Sequence, residues 1–389
     1  MKDLKIKTLN RIKFISSNAL RQILVSVFGM IIPFMVIQYS SKEIWGEFVS
    51  ILLYTLFAIQ IINWGNKEYL LRKFSLEPNK IIFCFSKNIF TRLPLLLFFS
   101  VVGFFYFQLE YGIFIFLWLF GRLCIHSTEV LIIYEKKFNT SLIIESLCFA
   151  IFCLTFFVFK SEINLKAVLI FYSFYQLFKG LCYYILFKDF ISLDYFEIDL
   201  NYYKSSFWFF LLSIFGFLAS KIDVYIIELF GNKIVTSEYQ IINSLLVFVM
   251  SSSAFIYVPF VKNIYRNNEL LLLKSKKILA FLGLIIVPIS LVIIYFILSY
   301  FLNLQLSIWF YLIAFFYVYP SFIYGLEIVN LFKQQQEKKV VLFLFFGTIA
   351  NSLLSALFLH FNYGINDALF GSAIAQLLVL ILFKFKKNV

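Results

Sequence analysis

Arg122, His126 and Glu129 are spaced i, i+4 and i+7, which puts a guanidinium, an imidazole and a carboxylate in one stripe down one helix face. Such a stripe can hold an anion, pass a proton, or neutralise itself as a packing pair. The residues around it, LFGRLCIHSTEVLII, are apolar enough for a membrane span. An ionisable group there is costly unless it faces a partner or a wet space. A second stripe is Tyr172, Gln176, Lys179 and Tyr183; a third group, Asn18, Arg21 and Gln22, lies near the start of the first apolar stretch. The fourth is in Lys204–Tyr239. There Ser213, Gly216, Ser220 and Asp223 share a small, polar face, while Lys221, Tyr225 and Glu228 fall on the opposite side. Gln240, Asn243 and Ser244 follow in the next span.

Each of these residues also has a structural reading. Arg21 and Lys179 lie close enough to one end of their spans to snorkel to the headgroups. Arg122 is near mid-span and could pair with Glu129 or another acid. His126 could serve only as a donor between helices. Glu129, Glu145 and Glu327 fall near the inner boundary, and Glu228 and Glu238 near the outer one. The Ser/Gly stripe before Asp223 also suits close helix packing. Taken together, Arg21, Arg122, Lys179 and Lys221 point to a site biased positive, suited to an anionic headgroup, with arginine the better bidentate phosphate binder.

The elements that position these groups are membrane helices. Hydrophobic residues make up 62% of the 389, well above the soluble norm. About twelve spans are expected, at 14–39, 44–63, 88–108, 112–134, 141–159, 165–187, 204–230, 237–261, 276–302, 305–330, 338–359 and 365–385. The formal charge of +13 comes from lysines and arginines that gather on one side of the spans, so it reads as a topology signal and not as nucleic-acid binding. Lys67, Arg72, Lys73, Lys80, Lys87, Arg92, Lys262 and Arg266 are among them, and both termini are expected in the cytoplasm. The opposite loops are short, which disfavours an enzyme with an external acceptor site. No nucleotide-binding glycine loop or HExxH is present, and with two histidines a His-based metal centre is not expected. The five cysteines show no CxxC pairing and read as apolar filler. Prolines 33, 94, 259, 288 and 320 interrupt five spans and are expected to kink them.

Residues 38–48, QYSSKEIWGEF, and 229–239, LFGNKIVTSEY, share a lysine followed five positions later by Glu and then an aromatic residue. An offset near half the chain length is what a duplicated unit would produce. Two six-helix lobes are therefore expected, 1–195 and 196–389, around a central cavity, with the polar connection near 188–203 as the hinge. The loop 64–87 is expected to be the longest cytoplasmic connection of the first half.

The segments SSNALRQILVSVFGMIIPFMVIQY, WGEFVSILLYTLFAIQIINWGNKEYLLRKFS and ASKIDVYIIELFGNKIVTSEYQIINSLL resemble the O-antigen/polysaccharide (Wzx-type) flippases of the multidrug/oligosaccharidyl-lipid/polysaccharide exporter superfamily. The matching residues are Gly46–Phe48 at the entry to span two, Gly65 at its end, Lys221 and Asp223 in span seven, and Tyr239 in span eight. The span-seven base is Lys221 where the family commonly has Arg. The resemblance implies a flippase in the bacterial inner membrane, moving undecaprenyl-pyrophosphate-linked oligosaccharide repeat units to the periplasmic leaflet by alternating access. It implies substrate binding by Arg21, Arg122, Lys179 and Lys221, and coupling or gating by Asp223, His126 and Glu129. No cofactor is implied beyond coupling to H+ or Na+; the implied partners are a polysaccharide polymerase and a chain-length regulator. The alternatives are a drug or cation exporter of the same superfamily and, behind it, a membrane-embedded polymerase or glycosyltransferase.

Overall fold

The structure, a computed structural model, describes residues 2–257, 269–362 and 364–385. Lys262, Arg266 and the expected kink at Pro259 lie outside the described residues. All regular structure among the described residues is helical, and twelve stretches are long and apolar enough to cross a membrane. The first part of the chain runs through α1 (Lys2–Tyr39), α2 (Lys42–Asn63), α3 (Asn66–Leu76), α4 (Ile81–Tyr106), α5 (Leu109–Tyr134), α6 (Phe138–Val158), α7 (Leu165–Leu186) and the short α8 (Leu200–Ser205). It continues through α9 (Phe207–Phe230), α10 (Lys233–Tyr257), α11 (Glu269–Leu302), α12 (Ile308–Val318), α13 (Pro320–Lys333), α14 (Glu337–Asn362) and α15 (Ile365–Lys384).

Two local features sharpen the sequence expectation. The connection 64–87, where an interfacial amphipathic segment is compatible with the sequence, is largely helical: α3 follows α2 after a two-residue turn. Trp64 and Gly65 there have φ of 44° and 64°. A Cβ on Gly65 would sit 2.6 Å from the carbonyl carbon of Phe209, so glycine is required by both backbone and space. The tenth span is two helices, α12 and α13, joined at Tyr319–Pro320, where the proline has no N–H to continue the ladder. Pro33, Pro94 and Pro288 are accommodated inside continuous helices.

The chain divides into two compact units, Met1–Ile214 and Phe215–Val389, the division falling within α9. In the first unit α5 packs most extensively on α7. Gly121 and Gly180 make this possible. A Cβ on Gly180 would lie 2.6 Å from the Gly121 carbonyl oxygen, and one on Gly121 would lie 2.6 Å from the Leu177 nitrogen. Backbone therefore rests on backbone, as small residues allow between membrane helices. A core of Leu70, Phe74, Phe85, Val130, Leu131, Tyr183 and Phe187 locks α3, α4, α5 and α7 together at one end. In the second unit α14 and α15 are the most extensively packed pair, and again a glycine sets the distance: a Cβ on Gly371 would meet the Ser355 nitrogen at 2.6 Å.

The connection 188–203 is not loose. Ser192 N–H donates to Ser86 Oγ at 2.9 Å and Asp199 N–H to Thr91 Oγ1 at 3.0 Å. Tyr203 Oη donates to the Thr91 carbonyl at 2.6 Å, and Lys87 pairs with Glu197 at 3.0 Å. The strap lies along α4 in the first unit.

Candidate functional site

In the first unit the glycine contact between α5 and α7 brings Arg122 and Lys179 together, each the chain neighbour of one of the two glycines. Lys179 donates to Glu145 of α6 at 3.1 Å, with 4% and 3% of the side chains exposed. Glu145 also accepts from Tyr183 Oη at 2.9 Å, and that hydroxyl lies 2.6 Å from Ser141 Oγ. A buried pair of this kind holds only because both ions are hydrogen-bonded. Glu145 is thus a buried partner, where its position in the sequence suggested a boundary residue. Glu129 pairs with Lys67 of α3 at 3.0 Å, and His126 Nδ1 lies 3.9 Å from the same carboxylate. His126 Nε2 is buried without a hydrogen-bond partner.

Arg122 is the group left over. It lies within electrostatic reach of His126, Tyr172 and Lys179 but has no carboxylate at ion-pairing distance among the described residues. The i, i+7 separation from Glu129 is about two turns, roughly 10 Å along the axis, too far to pair. Arg21 is buried near Lys67, Glu129 and Tyr183, with its Nε unpartnered. Arg92, which the sequence placed among the boundary cations, is fully buried; it donates from Nη2 to Ser127 Oγ at 2.7 Å, and its Nη1 has no partner. The structure gathers Arg21, Arg122, His126, Glu129 and Lys179 in this unit. Around them cations outnumber carboxylates.

In the second unit the centre is Asp223, with 0% exposure. Its carboxylate accepts from Tyr239 Oη at 2.6 Å, Ser372 Oγ at 2.9 Å, the Val224 N–H at 2.9 Å, and Asn243 Nδ2 at 3.3 Å to either oxygen. The other end of the Asn243 amide accepts from Lys221 Nζ at 2.7 Å. Lys221 and Asp223 start on opposite faces of α9, as the sequence spacing requires, yet both engage one asparagine of α10. The long, flexible lysine stem is what allows it. No cation lies within 4 Å of Asp223 among the described residues, so neutral donors, not an ion pair, balance this charge.

Around Ser372 acceptors exceed protons. Asp223 Oδ2, Asn351 Oδ1 at 3.0 Å and the Ala368 carbonyl at 3.3 Å all compete for one hydroxyl hydrogen. Asn351 Oδ1 also receives Ser355 Oγ at 2.9 Å, and the Tyr317 hydroxyl is buried nearby, beside Asn243. An oxygen cluster short of protons can take up H+ or a small cation. Glycine geometry builds this site too, because the Gly371 contact with Ser355 sets Ser372 beside Asn351. Ser372 and Asn351 gave no signal in the sequence beyond being polar residues in apolar spans. Among the described residues no group of three or more His, Cys, Asp or Glu side chains could hold a metal ion.

No family model matches the chain, and no curated protein matches its sequence. Its fold is that of the MATE transporters. A MATE structure in complex with MaD3S is 12% identical, with a TM-score of 0.65, covering 97% of this chain and 94% of that one. Outward- and inward-facing conformations of a multidrug resistance MATE family transporter of the MOP superfamily are each 12% identical, with TM-scores of 0.59 and 0.61. They cover 97% and 93% of this chain, and 97% and 94% of their own. A MOP superfamily transporter from Pyrococcus furiosus, described by the reverse polarity of its binding pocket and a suggested different function, is 13% identical at a TM-score of 0.59, covering 97% of this chain and 95% of that one. The likeness is one of fold: among the described residues the chain is all-helical, has a MATE-like fold, and carries twelve helical stretches long and apolar enough to cross a membrane.

Proposed function

We propose that this protein is a secondary transporter of the bacterial inner membrane that exports its cargo by alternating between inward- and outward-facing forms, with both termini cytoplasmic. The observation that carries this reading is the likeness of nearly the whole chain to MATE transporters in both forms. The same neighbours favour a multidrug or cation exporter over a polysaccharide flippase, because the multidrug transporters among them have that activity.

One observation favours a second cargo, a lipid-linked oligosaccharide. Arg21 and Arg122 are both in the first unit, and neither pairs with a carboxylate among the described residues. Like charges in a poorly solvated span repel strongly, so this surplus opposes a cationic drug and attracts a pyrophosphate. Export of an anion from a negative interior is also downhill, by ~2.3 kcal/mol per charge per 100 mV. The MATE fold accommodates a change of pocket polarity, as the description of the Pyrococcus furiosus transporter indicates.

Asp223 is the coupling residue in either case. A proton taken up on Oδ2 would make that oxygen a donor toward Ser372 Oγ and weaken its bond from Tyr239, while Oδ1 still accepts from the Val224 N–H and Asn243. Lys221, bonded to the same Asn243, would sense the change.

Two assays separate the cargos. Cells lacking or restored for the gene are tested for efflux of a fluorescent cation such as ethidium, and their spheroplasts for lipid-linked oligosaccharide accessible to an impermeant lectin. Efflux that follows the gene and fails in Asp223→Asn supports the drug exporter. Lectin-accessible units that follow the gene and fail in Arg122→Gln support the flippase. If neither follows the gene, the transport reading falls for both cargos.

A further inference from the structure

A pocket at the strap end of α4 belongs to neither polar cluster. It has a volume of about 60 Å³ and lies between α3, α4 and the 188–203 connection. Its polar lining is Lys73 of α3, Lys87, Asn88 and Thr91 of α4, and Asp199 and Tyr202 from the connection. One water needs roughly 10–15 Å³ by this measure, so the space holds several waters or one phosphate group.

The buried wall is Asn88, 4% exposed, whose side-chain nitrogen and oxygen make no well-formed hydrogen bond, the Tyr202 hydroxyl being the polar group beside it. A buried primary amide this poorly satisfied is rare in a native fold and is free to bond a ligand. One helical turn further on is Arg92. Its Nε donates to the Asn88 backbone carbonyl at 3.3 Å and its Nη1 is unpartnered, so a positive charge without a carboxylate lies behind the amide. At the mouth, Lys87 is held by Glu197 at 3.0 Å and by Asp199 at 4.0 Å, and Lys73 by Glu77 at 3.3 Å. Glu197 is 68% exposed, and exposed pairs of this kind exchange partners at little cost. Asp199 Oδ1 already accepts from the Asn201 N–H at 3.0 Å, and its Oδ2 is the oxygen 4.0 Å from Lys87.

The rim is apolar. Phe83 lies edge-on to Tyr195 at 5.1 Å, and Lys87 Nζ lies 5.4 Å above the same Phe83 ring. Phe196 packs on Phe90 at 4.5 Å and, with Ile82, Leu193 and Leu200, is exposed. A free anion would use the pocket and ignore this rim. A molecule with a phosphate and hydrocarbon chains uses both.

We propose that the pocket binds the phosphate of an anionic membrane phospholipid, whose acyl chains follow the Phe83–Phe196 rim and so tie α3 and α4 to the connection between the sixth and seventh spans. Asn88 Nδ2 and Lys87 Nζ donate to the phosphate, with Lys73 completing the charge, and Arg92 supplies the potential from behind. The assignment is independent of what the protein transports.

The test is native mass spectrometry of the purified full chain in detergent, titrated with phosphatidylglycerol or phosphatidylcholine. One phosphatidylglycerol should be retained per chain in preference to phosphatidylcholine. Loss of a charge-assisted hydrogen bond in Lys87→Gln should weaken it about tenfold. Asn88→Asp sets a carboxylate beside Arg92, so this variant should fold at least as well and lose the lipid. Lys188→Gln, on the same strap but outside the pocket, should bind as the wild type does and thereby control for general attraction to a basic chain. Unchanged retention in Lys87→Gln and Asn88→Asp overturns the proposal. So does equal retention of phosphatidylcholine, and so does complete displacement by inorganic phosphate at the lipid's own concentration, which would make this a free-anion site.

Discussion

The hairpins that open the two halves are built alike and filled differently. The first helices of the two hairpins end 191 residues apart, at Tyr39 and Phe230, and the starts of α2 and α10, Lys42 and Lys233, have the same offset. Each second helix is capped just before its lysine. Ser41 Oγ accepts from the Ile44 N–H at 3.2 Å, and Asn232 Oδ1 from the Val235 N–H at 2.8 Å. At that offset Asp223, Tyr239 and Asn243 correspond to Ile32, Phe48 and Leu52, all three buried. One scaffold therefore carries a hydrogen-bonded carboxylate in one half and an apolar plug in the other. The first unit holds its charges at other positions, Arg21 on α1 and the rest on α3 to α7, as ion pairs plus arginines without a carboxylate partner among the described residues. The duplicated hairpin fixes helix positions; polarity is decided residue by residue on top of it.

The largest expected effects come from breaking the balance peculiar to each half. Lys179→Met leaves Glu145 buried with only Tyr183 as donor and should destabilise the protein by ~3–5 kcal/mol. The double variant Lys179→Met/Glu145→Met should recover most of that loss in thermal melts. If single and double variants melt together, Lys179 and Glu145 are not acting as a pair. Placing the second half's carboxylate in the first half is the next step down. Ile32→Asp meets no matching donors, because Phe48 and Leu52 have none, and should cost ~2.5–3.5 kcal/mol. An Ile32→Asp protein as stable as wild type would show that the first hairpin is wetter than its packing implies.

Glycine contacts are common to both halves, so they should respond alike. Gly180→Val and Gly371→Val each force a Cβ to 2.6 Å of backbone on the facing helix, at Gly121 and Ser355. Overpacking of this size should cost ~1–3 kcal/mol and, by prising the helices apart, displace Arg122 or Ser372 along with them. Melting temperature and yield of monodisperse protein measure the first effect; loss of transport in the surviving fraction measures the second.

The difference between what was legible and what was not follows these same residues. Twelve spans, their hairpin connections and the repeat at 38–48 and 229–239 follow from hydropathy and spacing, because bilayer thickness sets helix length and leaves few alternatives. The stripe of Arg122, His126 and Glu129 was visible as a stripe. Its partner was not, since Lys67 belongs to another helix and no periodicity within α5 points to it; Glu145, the partner of Lys179, was hidden in the same way on α6. Ser372 and Asn351 were harder still: their significance exists only where Gly371 lets α15 approach α14 closely. The break at Pro320 could be anticipated as a kink, but whether a membrane proline bends a helix or splits it depends on what its neighbours offer the freed carbonyl. Pro33, Pro94 and Pro288 stay inside continuous helices, while Pro320 starts a new one.

The smallest change tests the comparison most directly, because one hydroxyl separates Tyr239 from Phe48. Tyr239→Phe removes one of the four groups that donate to Asp223, and the remaining donors keep the carboxylate buried. A hydrogen bond between membrane helices averages ~0.6 kcal/mol and reaches ~1.7, so melting should fall only slightly. On the coupling role proposed for Asp223, transport should fall much further, because loss of the short bond from Tyr239 alters the carboxylate that would take up the ion, and an assay of uptake against pH or Na+ should show its midpoint displaced. Phe48→Tyr makes the reciprocal change among Trp45, Trp118 and Tyr172, where no carboxylate waits for the new hydroxyl. It should cost stability by a similar small amount and leave that midpoint in place. Equal displacement by both variants would mean that the two hairpins respond to ions alike, despite Ile32 standing where Asp223 does in the other half.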